Sequence, residues 1–222
     1  MVNKTRPARK SPRRAARAKP AAPASRAHDP TLEERLLLEG LRAFAEQGYA
    51  EVSVDEIVRA AGATKPMLYY YYGSKAGLYR SVAKRAFTVI LSAGSIAFDA
   101  KAPPLDRLRA YVRDDFARMR VNPNIARFLY RTAYAASPKA PPIDHWSLFM
   151  PSFQLVIAIV EAAQRQKLIA PGPAPEMALP LFGLMGIFAQ LHLAGPLGDM
   201  LGDERADRLV DLYLHGVARR RV

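Results

Sequence analysis

SVDEIVRAAGATKPMLYYYYGSK, residues 53–75, is the stretch whose reading decides the fold. Val54, Ile57, Val58 and Ala61 recur at i, i+3, i+4 and i+7, which gathers them on one face of a helix. Ser53 stands just before that face and Glu56 follows three residues later, the pattern of a capping box. Ala61-Gly62-Ala63 interrupts the pattern at a residue that tolerates positive φ, so this helix should stop there. Thr64 can then cap a second helix, with Pro66 tolerated in a first turn whose N–H groups have no intrahelical partner. Leu68 and Tyr72 share its inward face, while Lys65, Met67, Tyr69, Tyr70 and Tyr71 point sideways or outward. Three consecutive outward tyrosines beside a lysine suit an anionic surface that offers groups to hydrogen-bond. Two short helices so arranged make a helix-turn-helix, expected over 53–72.

The flanking residues extend the pattern. A helix starting at Thr31, with Glu34 completing a second capping box, carries Leu37, Leu41, Phe44 and Ala45 on its inward face. It ends in Phe44-Ala45-Glu46-Gln47-Gly48-Tyr49. After the helix-turn-helix comes Ser74-Lys75-Ala76-Gly77-Leu78, where Ser74 should cap a helix running to about Phe98. With Ser53-Val54-Asp55-Glu56-Ile57, Ala61-Gly62 and Leu68-Tyr69-Tyr70, these residues make the segment 31–91 resemble the DNA-binding domain of the tetracycline-repressor (TetR) family. Tyr72 stands where that family usually has Phe, a conservative change at a core position.

The resemblance implies a homodimer that binds a palindromic double-stranded DNA operator and is released by a small-molecule effector. Most members of the family are repressors. On that reading Ser53, Thr64, Lys65, Tyr69, Tyr70 and Lys75 contact phosphates. Met67 and Tyr71, with Lys65 and Pro66, are placed to meet base edges or thymine methyls. The resemblance also points to a bacterial cytoplasm, with the protein on the nucleoid.

The 222 residues carry 33 Lys+Arg against 20 Asp+Glu, a net charge of +13. Residues 1–30 hold nine of the basic residues (Lys4, Arg6, Arg9, Lys10, Arg13, Arg14, Arg17, Lys19 and Arg26) and one acid, Asp29, so they contribute +8 and leave +5 for the remainder. Ala, Pro and Ser fill most of what is left, too little apolar surface to offset the entropy of ordering, and a disordered basic tail is expected. Such a tail either tracks DNA phosphates and reaches into a minor groove, or only solubilises the chain. An effector-independent architectural DNA-binding protein using this arm is therefore the alternative reading. Without cysteine there is neither a disulfide nor a thiolate metal site.

From 92 to 222 the periodicity is helical throughout, giving an all-α class: an N-terminal three-helix head and a C-terminal helical body. Helices are expected over Leu105–Val121, Asn124–Ala136, His145–Leu168, Glu176–Ala194 and Glu204–Arg219, parted by Pro-rich breaks at 137–142 and 171–175. Phe149–Val160 and Leu179–Ala194 are shorter than the roughly 20 residues of a membrane span, so no membrane partner is expected. None of His28, His145, His192 and His215 has a metal-ligand spacing, and Asp114-Asp115 and Asp203-Glu204 read as helix-surface and helix-start residues. No catalytic group, metal site or cofactor is expected.

The last two helices are apolar on much of their surface. Leu209, Leu212, Tyr213, Gly216 and Val217 make one stripe, and Met177, Leu181, Leu184, Met185, Phe188 and Leu191 another. The resemblance implies that they form the homodimer interface. It also implies a small-molecule pocket among the middle helices, whose lining is expected from Phe128, Tyr134, Trp146, Phe149 and Phe153, with Phe116, Tyr130 and Phe182 as further candidates. The aromatic weight and the shortage of charge favour a hydrophobic or aromatic effector.

Overall fold

A computed structural model of the chain describes residues 30–90, 95–135, 137–195 and 198–217, and the basic tail lies outside them. The helices are α1 (Leu32–Glu46), α2 (Val54–Ala60), α3 (Lys65–Tyr72), α4 (Lys75–Ile90), α5 (Ser95–Phe98), α6 (Pro104–Val121), α7 (Pro123–Tyr134), α8 (His145–Arg165), α9 (Ala174–Ala194) and α10 (Asp203–Val217). No strand occurs among the described residues. The expected helix from Ser74 to Phe98 is found as α4 and α5, with 91–94 between them outside the description.

Both capping boxes form. The Thr31 hydroxyl accepts from the Glu34 N–H and the Glu34 carboxylate accepts from the Thr31 N–H; Ser53 and Glu56 do the same at α2. Gly62 takes φ +62 directly after α2, and the Ala63 N–H returns to the Val58 carbonyl at 2.8 Å to close the helix end. Thr64 departs from expectation: it is the extended residue before α3, but its side chain makes no capping bond. A tighter constraint follows at Gly77, where an added Cβ would sit 1.9 Å from the Tyr72 carbonyl oxygen. Backbone opposes backbone there, so the turn from α3 into α4 admits no side chain.

Two cores are built on these elements. One gathers Leu36, Phe44, Ile57, Val58, Leu68, Leu78, Tyr79, Val82 and Ile90, and is completed by Ile125 and Phe128 from α7. Leu36 rather than Leu37 or Leu41 is the fully buried leucine of α1, because the helix is covered by α4 on one side and α7 on another. The second core gathers Leu108, Tyr111, Val112 and Phe116 of α6 with residues of α8, α9 and α10, among them Val156, Ile159, Leu181, Met185, Leu209 and Tyr213. Polar bonds tie α6 to α10: Arg113 grips Asp207 with two guanidinium nitrogens, and Arg109 reaches Asp211 at 2.6 Å.

Helices α8 and α9 are each 21 residues long and, by length and composition alone, apolar enough to cross a bilayer. The length argument drawn from the shorter apolar stretches therefore fails. Here both helices pack on α6 and on each other. The apolar stripe expected on α10 also divides. Leu209 and Tyr213 turn into the chain's own core, while Leu212 is 56% exposed and Gly216 lies outward.

Candidate nucleic-acid interface and ligand cavity

The interface is assembled on α3. Leu68 is buried beneath α3, and the Tyr72 hydroxyl donates to the Glu33 carbonyl oxygen of α1 at 2.8 Å. Burial pushes the Tyr72 phenol up to about 12, so it remains a donor over the whole neutral range. With that face anchored, Met67, Tyr69, Tyr70 and Tyr71 are exposed together, Tyr70 most of all at 83%. The Tyr70 and Tyr71 rings meet edge to face at 5.1 Å.

The remaining interface candidates all lie around this face, with differing commitments. Thr64 and Pro66 are exposed at its start. The Ser53 hydroxyl is engaged with Glu56, and the Ser53 N–H and hydroxyl hold the Glu56 carboxyl below its ordinary range. The Lys65 ammonium lies 3.0 Å from the Asp55 carboxylate in an exposed pair. Lys75 lies back over the Tyr49 ring at 4.4 Å from its centroid. Burial there lowers its pKa from the ordinary lysine value, against the opposing charges of Glu51 and Glu56. Lys65 and Lys75 are thus held within the protein's own surface before any phosphate arrives.

The body contains a cleft of about 420 Å³ between α4, α6, α7, α8 and α9. Tyr130, Tyr134, Phe149 and Phe182 give it aromatic walls, with Phe87, Ile90, Leu129 and Met185 among the aliphatic and aromatic remainder. Of the residues expected to line a pocket, Tyr134 and Phe149 line this cleft and Phe128, Trp146 and Phe153 do not. Phe128 is fully buried in the first core, on the face of α7 opposite the cleft. Trp146 is 59% exposed on the first turn of α8, and Phe153 is buried one turn beyond Phe149, stacked on it rather than on the cleft. Phe116, too, is core.

One lining residue departs from its expected place. Asp115 is not a helix-surface residue: it is 1% exposed and lines the cleft, because α6 is covered on most of its circumference. Burial pushes its carboxyl up to about 7, with the nearby Arg118 charge acting in the opposite direction. Only the spacing of Asp115 from Tyr111, Leu108 and Val112 on one helical face could have signalled this.

Helix α7 joins cleft to head. Leu129, Tyr130, Ala133 and Tyr134 line the cleft, whereas Ile125 and Phe128 belong to the head's core and Arg131 donates to the Glu46 carbonyl at the end of α1, at 3.1 Å. Helix α4 has the same double membership: Phe87 and Ile90 line the cleft, and the Ile90 carbonyl accepts from Arg118 at 3.0 Å.

Comparison with known proteins agrees with this geometry. Residues 36–82, from α1 into α4, match the family model described as bacterial regulatory proteins, tetR family. The HTH-type transcriptional activator FasR of Mycolicibacterium smegmatis is 30% identical over 105 residues, covering 47% of this chain and 48% of FasR, so the match spans about half of either protein. The HTH-type transcriptional regulator BetI of Stenotrophomonas maltophilia is 26% identical over 188 residues, 84% of this chain and 92% of BetI. Among solved structures, the TetR family transcriptional regulator PfmR from Thermus thermophilus superposes with a TM-score of 0.68 at 20% identity, covering 86% of this chain and all of that one. That likeness bears on the fold.

Proposed function

Because this chain is a transcriptional regulator of the TetR family with a helix-turn-helix DNA-binding domain, we propose that it represses transcription by holding a palindromic operator as a homodimer. A small, largely apolar effector in the body cleft releases it. The observation that carries this reading is the double membership of α7, which puts Tyr130 against the cleft and, on neighbouring positions of the same helix, Phe128 and Arg131 against the head. A ligand that reseats Tyr130 shifts the helix on which the head rests. The two recognition helices then lose the spacing of successive major grooves, a population shift driven by differential affinity for two states.

In the bound state Tyr69, Tyr70, Thr64 and Ser53, with Lys65 and Lys75 turned out from Asp55 and Tyr49, supply phosphate contacts, and Met67, Pro66 and Tyr71 face base edges. Homodimerisation through α9 and α10 is supported by the exposure of Ile187 and Leu212, two large apolar residues. The protein then acts in the bacterial cytoplasm, on the nucleoid. The test is a titration of purified full-length protein on genomic fragments. A protected inverted repeat with half-site centres about one helical turn apart, or a multiple, is the expected result. Uniform affinity for all duplexes would instead mark an architectural DNA binder.

A further inference from the structure

Two buried polar atoms of the cleft lining, Asp115 Oδ2 and the Tyr111 hydroxyl oxygen, have no hydrogen-bond partner among the described residues. Asp115 is the single charged side chain among the lining residues. No cation lies within ion-pair distance of it among the described residues; Arg118, three residues on along α6, donates its Nε to the Ile90 carbonyl, and its buried Nη2 has no partner among the described residues. The groups facing it from its own helix are Arg118 and Tyr111, whose phenol burial and the Asp115 charge together hold protonated. From the helices packed against α6, the titratable lining groups are the phenols of Tyr130 and Tyr134; α4, α8 and α9 contribute no charge to the lining. A buried carboxyl oxygen without a partner costs free energy in either state, and more when ionised. Such a group at the wall of a ligand-sized cleft is an acceptor waiting for a donor.

We propose that Asp115 is the recognition group for an effector that carries a protonated amine on an aromatic or aliphatic body. The inference rests on the reading of the body as an effector-binding domain and deepens it, adding a cationic head to an apolar ligand. An ammonium N–H donates to Oδ2 and adds a positive charge at contact distance, which Arg118 does not provide. The rings of Tyr130, Tyr134, Phe149 and Phe182 line the same cleft, so the ammonium and the apolar body find aromatic faces within it. A quaternary ammonium satisfies the charge but not the orphaned acceptor, and an alcohol the acceptor but not the charge. A carboxylate is repelled.

The experiment is calorimetric titration of the full chain with naphthylmethylamine, naphthylmethanol and naphthoate, which share a ring system and differ in the head group. Amine binding should exceed alcohol binding by roughly tenfold to a hundredfold, the worth of a charge-assisted hydrogen bond. Its affinity should rise from about pH 6 to about pH 8, as Asp115 ionises near 7 while the amine stays protonated. Asp115→Asn should erase the preference for amine over alcohol and its pH dependence. Equal affinity for amine and alcohol, failure of both to bind, or a preference untouched by the substitution would overturn the proposal. Should the variant fail to fold, the pH dependence of the wild-type protein still decides it. The underlying reading fails differently: if the amine binds through Asp115 but protein–operator complexes persist, the site stands and the effector-release mechanism falls.

Discussion

The Tyr72 hydroxyl donates to the backbone carbonyl oxygen of Glu33 across 2.8 Å, pinning the last turn of α3 to the first turn of α1. The bond joins residues 39 positions apart. Phe, usual here in proteins of this family, fills the same space without the bond.

Tyr72→Phe should therefore leave the fold intact and cost about 1 kcal/mol, the net worth of one intramolecular hydrogen bond. In a chain of this size that lowers Tm by roughly 2–4 °C. Because the phenol is raised to about 12, the wild-type advantage is present below about pH 10 and is lost as pH rises through 12. Thermal scans of both proteins at about pH 7 and pH 11 check this; an unchanged Tm at neutral pH would mean that the bond adds nothing.

Gly77→Ala should be far more damaging. The new Cβ would meet the Tyr72 carbonyl at 1.9 Å, and backbone on one side with a helix start on the other leaves nothing flexible to yield. The turn between α3 and α4 must open, so a loss of more than about 3 kcal/mol is expected, together with loss of operator binding. Denaturant unfolding measures the first and a gel-shift titration the second.

At the surface of the head the signs oppose. Lys65 and Asp55 form an exposed pair at 3.0 Å, which contributes only about 0–1 kcal/mol to stability. Lys65→Ala should weaken DNA binding and reduce the salt slope by about one unit, with Tm nearly unchanged. Asp55→Asn should strengthen DNA binding, since it frees the ammonium and removes a negative charge near the phosphates. If the two variants shift DNA affinity in the same direction, Lys65 does not serve a phosphate.

Among the described residues, Ile187 on α9 is 44% exposed and Leu212 on α10 is 56% exposed. If a second copy covers them, Ile187→Lys and Leu212→Glu should each convert dimer to monomer at micromolar concentration in sedimentation velocity, with helical content retained. Operator affinity should fall with the dimer, because a two-fold site is read by two heads. Dimers that survive both substitutions would move the interface off these helices.

The head was legible because its signals are local. A capping box spans four residues, Gly62 declares its left-handed turn by itself, and Val54, Ile57 and Val58 fall on one face by helical spacing alone. The helix boundaries of the body followed in the same way from periodicity and Pro-rich breaks. What the sequence could not determine was which neighbour covers which face. Phe128 and Tyr130 stand two residues apart on α7, yet the first seals the head and the second lines the cleft, since α7 is wedged between them. Asp115 looked like its neighbour Asp114, and only the helices packed around α6 drew it inside while Asp114 stayed partly exposed. Trp146, expected among the pocket-lining aromatics, lies outward on the first turn of α8. Capping, turns and helical faces are set by residues within four positions of one another, and the sequence determined them. Burial of a given face is set by residues up to a hundred positions away, and that only the tertiary structure decided.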